Sequence, residues 1–194
     1  AVSPAAAPYD YERYDFQDAV DLLRPEYAAA VVLKDLKAED LKALADLSFE
    51  SGILVLRGEI VLFTSGSADE IGVLPAAKAL AGKADFISHT HPGVYSAEGP
   101  SGEDMNEAVA APGVEYVITR EGAYAYNKEG ILNGGNAYSY EEYLQKIREA
   151  VEASQKDRGQ VEARKDLNQF IAEQDQYNQA VVEERETFRG GGTL

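Results

Sequence analysis

A chain of 194 residues suits one folded unit with an appendage, and a hydrophobic content of 45% is enough to fill a core. With 34 acidic side chains against 18 basic ones and a net charge of −16, the surface repels phosphate backbones and anionic lipid, which excludes nucleic acid and membrane surfaces as natural partners. The absence of cysteine excludes disulfides, thiolate nucleophiles and Cys-ligated zinc, and is compatible with a cytoplasmic or an exported protein.

The opening AVSPAAAPYD lacks the charged and apolar regions of a signal peptide. It reads as what remains after cleavage behind small residues, or as a Pro/Ala linker. No apolar run approaches the roughly 18 residues of a spanning helix, so no membrane insertion is expected. Residues 1–26 read as a loosely attached, partly disordered lead with a short helix at 16–23. YAAAVVLKDL (27–36) has the β-branched, breaker-free character of a strand. KAEDLKALADLSFE (37–50) is helical, with Leu41, Leu44, Ala45 and Ser48 along one face and Glu39 and Asp40 in the first turn. SGILVLRG (51–58) and EIVLFTSG (59–66) predict a hairpin turning at Arg57-Gly58-Glu59. A short helix is expected at 74–82, from Pro75 to Gly82, then a strand at 84–91, a helix at 102–111, a hairpin at 114–127 turning at Glu121-Gly122, and a last strand at 130–132. From Ser139 to Phe188 the composition turns to Glu, Gln, Lys, Arg and Ala. Leu144, Ile147 and Val151, then Leu167, Phe170, Ile171 and Tyr177, recur at helical spacing, and KDRGQ (156–160) divides two helices of an amphipathic packing arm. The expected units are thus the lead at 1–26, an α/β (α+β) domain at 27–137 with a mixed sheet flanked by helices, the helical arm at 138–188, and a Gly-rich tail at 189–194.

Both histidines of the chain, His89 and His91, stand on the 84–91 strand with one threonine between them. Residues two apart on a strand share a face, so both imidazoles can reach one ion at about 2.0–2.1 Å. The alternative is a pair of neutral, hydrogen-bonded, inert histidines. Pro92-Gly93 stops the strand and leaves His91 at its mouth. Ser101-Gly102-Glu103-Asp104 follows at the start of a helix. Taken alone it reads as an N-cap with an acid reaching back, but two imidazoles plus one carboxylate also make a common three-ligand zinc set with an open fourth position. A hydrolytic zinc needs a carboxylate to take a proton from water. Glu50, placed where the first predicted helix meets SGILV, is the best candidate, because a helix C-terminus is otherwise an unfavourable place for an acid. Glu59, in the hairpin, competes with it.

Glu50 followed by SGILV, then His89-Thr90-His91-Pro92, then Ser101-Gly102-Glu103-Asp104 resembles the JAB/JAMM metalloprotease family, also called the MPN fold and related to cytidine deaminases. That family's signature is Glu, then His-Ser/Thr-His-Pro, then Ser-x-x-Asp. The likeness spans about 27–133 and has the flavour of the bacterial JAB-like branch. It implies zinc held by His89, His91 and Asp104, with water as the fourth ligand. It further implies Glu50 as general acid/base, the Ser101 hydroxyl steadying the oxyanion, Thr90 and Pro92 as framework, and a protein or peptide substrate cleaved at an amide or isopeptide bond, such as that of a ubiquitin-like conjugate. Nine residues separate His91 from Ser101, where the family has seven. The addition around VYSAEGP is expected to loop over the metal and alter the substrate groove rather than the ligands. Gly-Leu-Leu-x-Gly, usual after the glutamate, is not in register here.

The terminal ETFRGGGTL resembles a ubiquitin-like tail, although a plain glycine-rich end is the simpler expectation. The alternative to a zinc hydrolase is a non-catalytic JAB-like scaffold that binds a partner through its helical arm. A homo-oligomer through the C-terminal helices is a further expectation. A third class, another His-X-His metallohydrolase such as a phosphoesterase, needs further His or Asp ligands, and the chain has no third histidine. For a zinc site, activity is expected to fall below about pH 6, where protons compete with the ion for imidazole nitrogen.

Overall fold

A computed structural model of the chain describes residues 12–23, 28–56, 58–65, 84, 86–91, 113–155, 165, 167–169 and 172. The expected helices at 74–82 and 102–111, the division at 156–160, the second half of the arm and the Gly-rich tail lie outside the described residues or largely so. The elements in chain order are β1 (Arg13–Tyr14), α1 (Phe16–Leu22), β2 (Ala28–Leu33), α2 (Ala38–Ala45), β3 (Gly52–Leu56), β4 (Glu59–Ser65), β5 (Phe86–Thr90), β6 (Glu115–Thr119), β7 (Gly122–Asn127), β8 (Gly130–Ile131) and α3 (Tyr140–Gln155). The strands make one open, mixed sheet in the order β1-β2-β4-β3-β5-β6-β7-β8. Pairing is parallel at β1–β2 and β5–β6 and antiparallel elsewhere. This is the mixed α/β class that the sequence predicts.

The β3–β4 hairpin closes at Leu56↔Glu59, with Gly58 at φ +87°, a left-handed conformation that glycine takes without a Cβ penalty. β3 is buried along its whole length, which is why GILVL reads as a continuous apolar run rather than an alternating one. Its odd residues, Ile53 and Val55, join Leu62, Phe86, Tyr116, Ile118, Ala123 and Ala125 on one face of the sheet. Leu41, Leu44 and Ala45 of α2 and Tyr143, Leu144 and Ile147 of α3 cover that face. At its centre Phe86 stacks on Tyr116 with ring centroids 4.6 Å apart, and Tyr143 meets both rings edge-on. The Tyr143 hydroxyl, hydrogen-bonded to Ser88, is fully enclosed, and burial pushes its phenol up.

Several expectations are corrected. The lead is not loose over 12–23: Arg13 and Tyr14 pair in parallel with Val32 and Leu33, Ala19 and Leu23 are buried in the main core, and Arg13 binds Glu59. α2 stops at Ala45, so Ser48 is exposed and off the buried face, and Glu50 stands beyond the helix rather than at its end. The second hairpin turns at Arg120-Glu121, one residue early, because Thr119 pairs with Gly122 and takes the Glu121 N–H on its hydroxyl. Gly122 (φ +133°) is needed as a strand residue, since a Cβ there would stand 2.2 Å from the Tyr138 carbonyl oxygen. The first helix of the expected arm, α3, belongs to the core of the domain, its apolar stripe spent on the sheet. Gly58 N–H reaches Ser154 Oγ at 2.7 Å, so the hairpin and the end of α3 are tied as well. Among the described residues no helix is long and apolar enough to cross a membrane.

Candidate metal centre

Alternation along FISHT sends Phe86, Ser88 and Thr90 toward the helices and Ile87, His89 and His91 to the other face. β3 lies antiparallel beside β5 with Gly52 opposite His89 and Ile53 opposite Ser88. The Ser51–Thr90 contact continues that register by one residue, and Glu50, the residue before it, comes to the same side as His89. The residue facing His89 being glycine, no β3 side chain stands over the imidazole at that position. On its other flank His89 is level with Val117 of β6. Val117 and Tyr126 form a small apolar cluster there. The Tyr126 ring meets His89 edge-on, centroids 6.3 Å apart, and its hydroxyl donates to Glu115 Oε2 at 2.9 Å.

Glu50 Oε1 lies 3.9 Å from His89 Nε2, beyond hydrogen-bond length but within ion-pair reach, and both side chains are nearly buried. The two imidazole centroids are 5.3 Å apart, with planes tilted by 55°. Residues two apart on a strand are separated by about 6.6 Å along the backbone, so the rings converge. A tetrahedral ion held at about 2.0–2.1 Å by two imidazole nitrogens requires ring centroids about 5 Å apart. The 5.3 Å between the two rings is close to that spacing. His89 is 8% exposed, while His91, just past the end of β5 and bonded through its N–H to the Ile118 carbonyl at 3.3 Å, is half-buried, as expected at a strand mouth.

Two of the proposed ligands and the proposed base are thus brought together. Ser101 and Asp104 lie outside the described residues, and among the described residues no group of three His, Asp or Glu side chains forms a metal cluster. The chain between β5 and its parallel neighbour β6 contains both of them. A parallel pair requires such a crossover, and this one departs from the strand end that carries His91. Glu59 is placed elsewhere. It pairs with Leu56 at the far end of β3, about 13 Å of strand from Gly52, and its carboxylate is bound by Arg13 through Nε at 3.1 Å and a second guanidinium nitrogen.

A pair of hydroxyls beside the site has no counterpart in the sequence reading of function. Thr90 N–H donates to the Ser51 carbonyl at 2.8 Å, and Ser51 N–H donates to Thr90 Oγ1 at 3.0 Å. The two hydroxyl oxygens are 3.3 Å apart, and both residues are fully buried. Thr90 reads as framework from the motif, but nothing local in the sequence shows that its partner is 39 residues upstream. Comparison of the chain with protein-family models, with curated proteins and with solved structures finds no match.

Proposed function

We propose that the chain is a zinc-dependent hydrolase of amide or isopeptide bonds, with a JAB/MPN-like domain and a protein or peptide substrate. The observation that carries this reading is the convergence of His89, His91 and Glu50 at the carboxyl end of β5, with the rings close to the spacing a shared ion requires. The carboxyl end of a strand beside a parallel neighbour is a usual place for a site. The order helix, glutamate, hairpin, His-X-His strand, hairpin is that of the resembled family.

His89, His91 and Asp104 would hold the ion. Zinc, when bound, supplies a Lewis acid and lowers the pKa of water to about 7. Glu50 takes the proton of the attacking water and returns it to the leaving amine as the C–N bond breaks. The Ser101 hydroxyl donates a hydrogen bond to the carbonyl oxygen as it gains charge. The nearly buried setting of Glu50 and His89 favours their part in this by keeping bulk water from the carboxylate and the imidazole. The scaffold alternative needs a helical face free for a partner. In the first helix of the expected arm the apolar stripe is already occupied, with Tyr143, Leu144 and Ile147 in the core.

Elemental analysis of the full chain should give one zinc per molecule, lost in His91→Ala and in Asp104→Ala. Hydrolysis of peptide- and isopeptide-linked conjugates should disappear in the same two variants. Stoichiometric zinc with no cleavage across such conjugates would restore the scaffold; absence of zinc binding at neutral pH would end the metal reading.

A further inference from the structure

The Ser51–Thr90 contact is not an ordinary rung of the sheet. In a regular antiparallel hydrogen-bonded pair the two residues exchange backbone N–H and C=O groups. Here Thr90 N–H keeps its carbonyl partner on Ser51, but Ser51 N–H turns to the threonine side chain, Oγ1, at 3.0 Å. A hydroxyl stands in for a carbonyl, β3 leaves the ladder at this point, and the strand is regular only from Gly52 onward. The next residue back is Glu50, whose carboxylate lies 3.9 Å from His89. Thr90 is the residue between the two imidazoles. One buried side chain on the helix-facing side of β5 therefore fixes the backbone from which the carboxylate on the opposite face is hung.

We infer that the Ser51–Thr90 clasp sets the position of Glu50 against His89 and His91, making Thr90 and Ser51 positioning residues of the site. This inference deepens the hydrolase reading and rests on it for its chemical meaning, but the geometry it asserts can be measured without metal or substrate. Valine has nearly the shape of threonine and lacks the acceptor, so Thr90→Val leaves the Ser51 N–H without its oxygen and frees the backbone beside Glu50 to move. Serine at this position restores the hydroxyl. A displacement on the order of 1 Å at a reacting carboxylate costs about 10²-fold in rate.

The test uses isotope-labelled full-length chain and NMR, with Thr90→Val and Thr90→Ser beside the wild type. Because the chain has only two histidines, the His89 ring protons are readily assigned. Expected are cross-peaks between the Glu50 γ-protons and the His89 ring in the wild type and in Thr90→Ser, lost in Thr90→Val. The Ser51 amide should exchange with solvent about tenfold faster in Thr90→Val, the factor that corresponds to one hydrogen bond. On zinc-loaded protein, Thr90→Val should lower kcat about 10²-fold with KM and zinc content unchanged, and Thr90→Ser should recover most of that loss. Cross-peaks and slow Ser51 exchange that survive in Thr90→Val would overturn the inference. If Thr90→Val does not fold, the wild type still decides: a Ser51 amide exchanging at the unprotected rate would overturn it, and a protected one showing contact to the Thr90 side chain supports it. If the wild type shows the clasp and the Glu50 contact but no zinc-dependent cleavage, the hydrolase reading fails and the positioning device stands.

Discussion

Three successive residues at and just past the end of β5 serve two faces: His89 meets Glu50 and the His91 ring, and Thr90 points toward the helices, where it holds Ser51. The carboxylate can therefore be altered without disturbing the clasp. Glu50→Gln keeps the shape of the side chain and removes its basicity, so zinc content by elemental analysis should be unchanged while kcat falls about 10²- to 10⁴-fold. Glu59→Gln should leave cleavage within a few-fold of wild type and instead lower the urea midpoint, because its carboxylate is paired with Arg13 at the other end of β3. The opposite pattern would reassign the base. The sequence singles out Glu50 on the supposition that it closes a helix. α2 ends at Ala45, and what qualifies Glu50 is the pairing of Gly52 with His89. Register between strands that are distant in sequence is not written in any local pattern, and so the Ser51–Thr90 contact and the edge of Tyr126 against His89 are not legible there.

Among the elements, strands and hairpins follow from apolar runs broken by glycine, and every strand predicted within the described residues is present. The errors come where a tertiary contact decides. The Glu121-Gly122 dipeptide looks like a turn, yet Gly122 belongs to β7 because the Tyr138 carbonyl crowds it. Gly122→Ala should destabilise the protein by well over about 1 kcal/mol, read as a lower urea midpoint with an unchanged slope, since the backbone there is left-handed and the space is taken. At the head of α3, Glu142 N–H donates to Ser139 Oγ at 3.1 Å and Ser139 N–H to Glu142 Oε1 at 3.1 Å, a reciprocal cap. Ser139→Ala should cost about 1 kcal/mol at neutral pH. The backbone N–H of Ser139 holds the Glu142 carboxyl below its ordinary value of 4.5. Its contribution is therefore full above that value and is lost as pH falls through the lower folded one, so the difference between wild type and Glu142→Gln, which has no carboxyl to protonate, should narrow in acid. Thermal melts of the two proteins from neutral pH down to about pH 3 would show it.

At the scale of the whole molecule, a mixed α/β domain is legible because strand-like and helix-like periods alternate, whereas the sheet order is not. Nothing local in RYD announces a strand, and β1 exists because it docks beside β2. In the same way α3, amphipathic and Glu-rich, reads as an arm but supplies a wall of the core. The placement of β1 has a practical outcome. Its two residues pair with Val32 and Leu33 along the outer border of AAAVVL, an apolar, charge-free strand of the kind that zips onto a copy of itself when its border is bare. A chain trimmed of residues 1–15, which leaves Ala19 and Leu23 in the core, should scatter more light as its concentration is raised than the intact chain does. The lead would then be a hem, and its removal would turn a self-contained fabric into one that keeps knitting onto its neighbours.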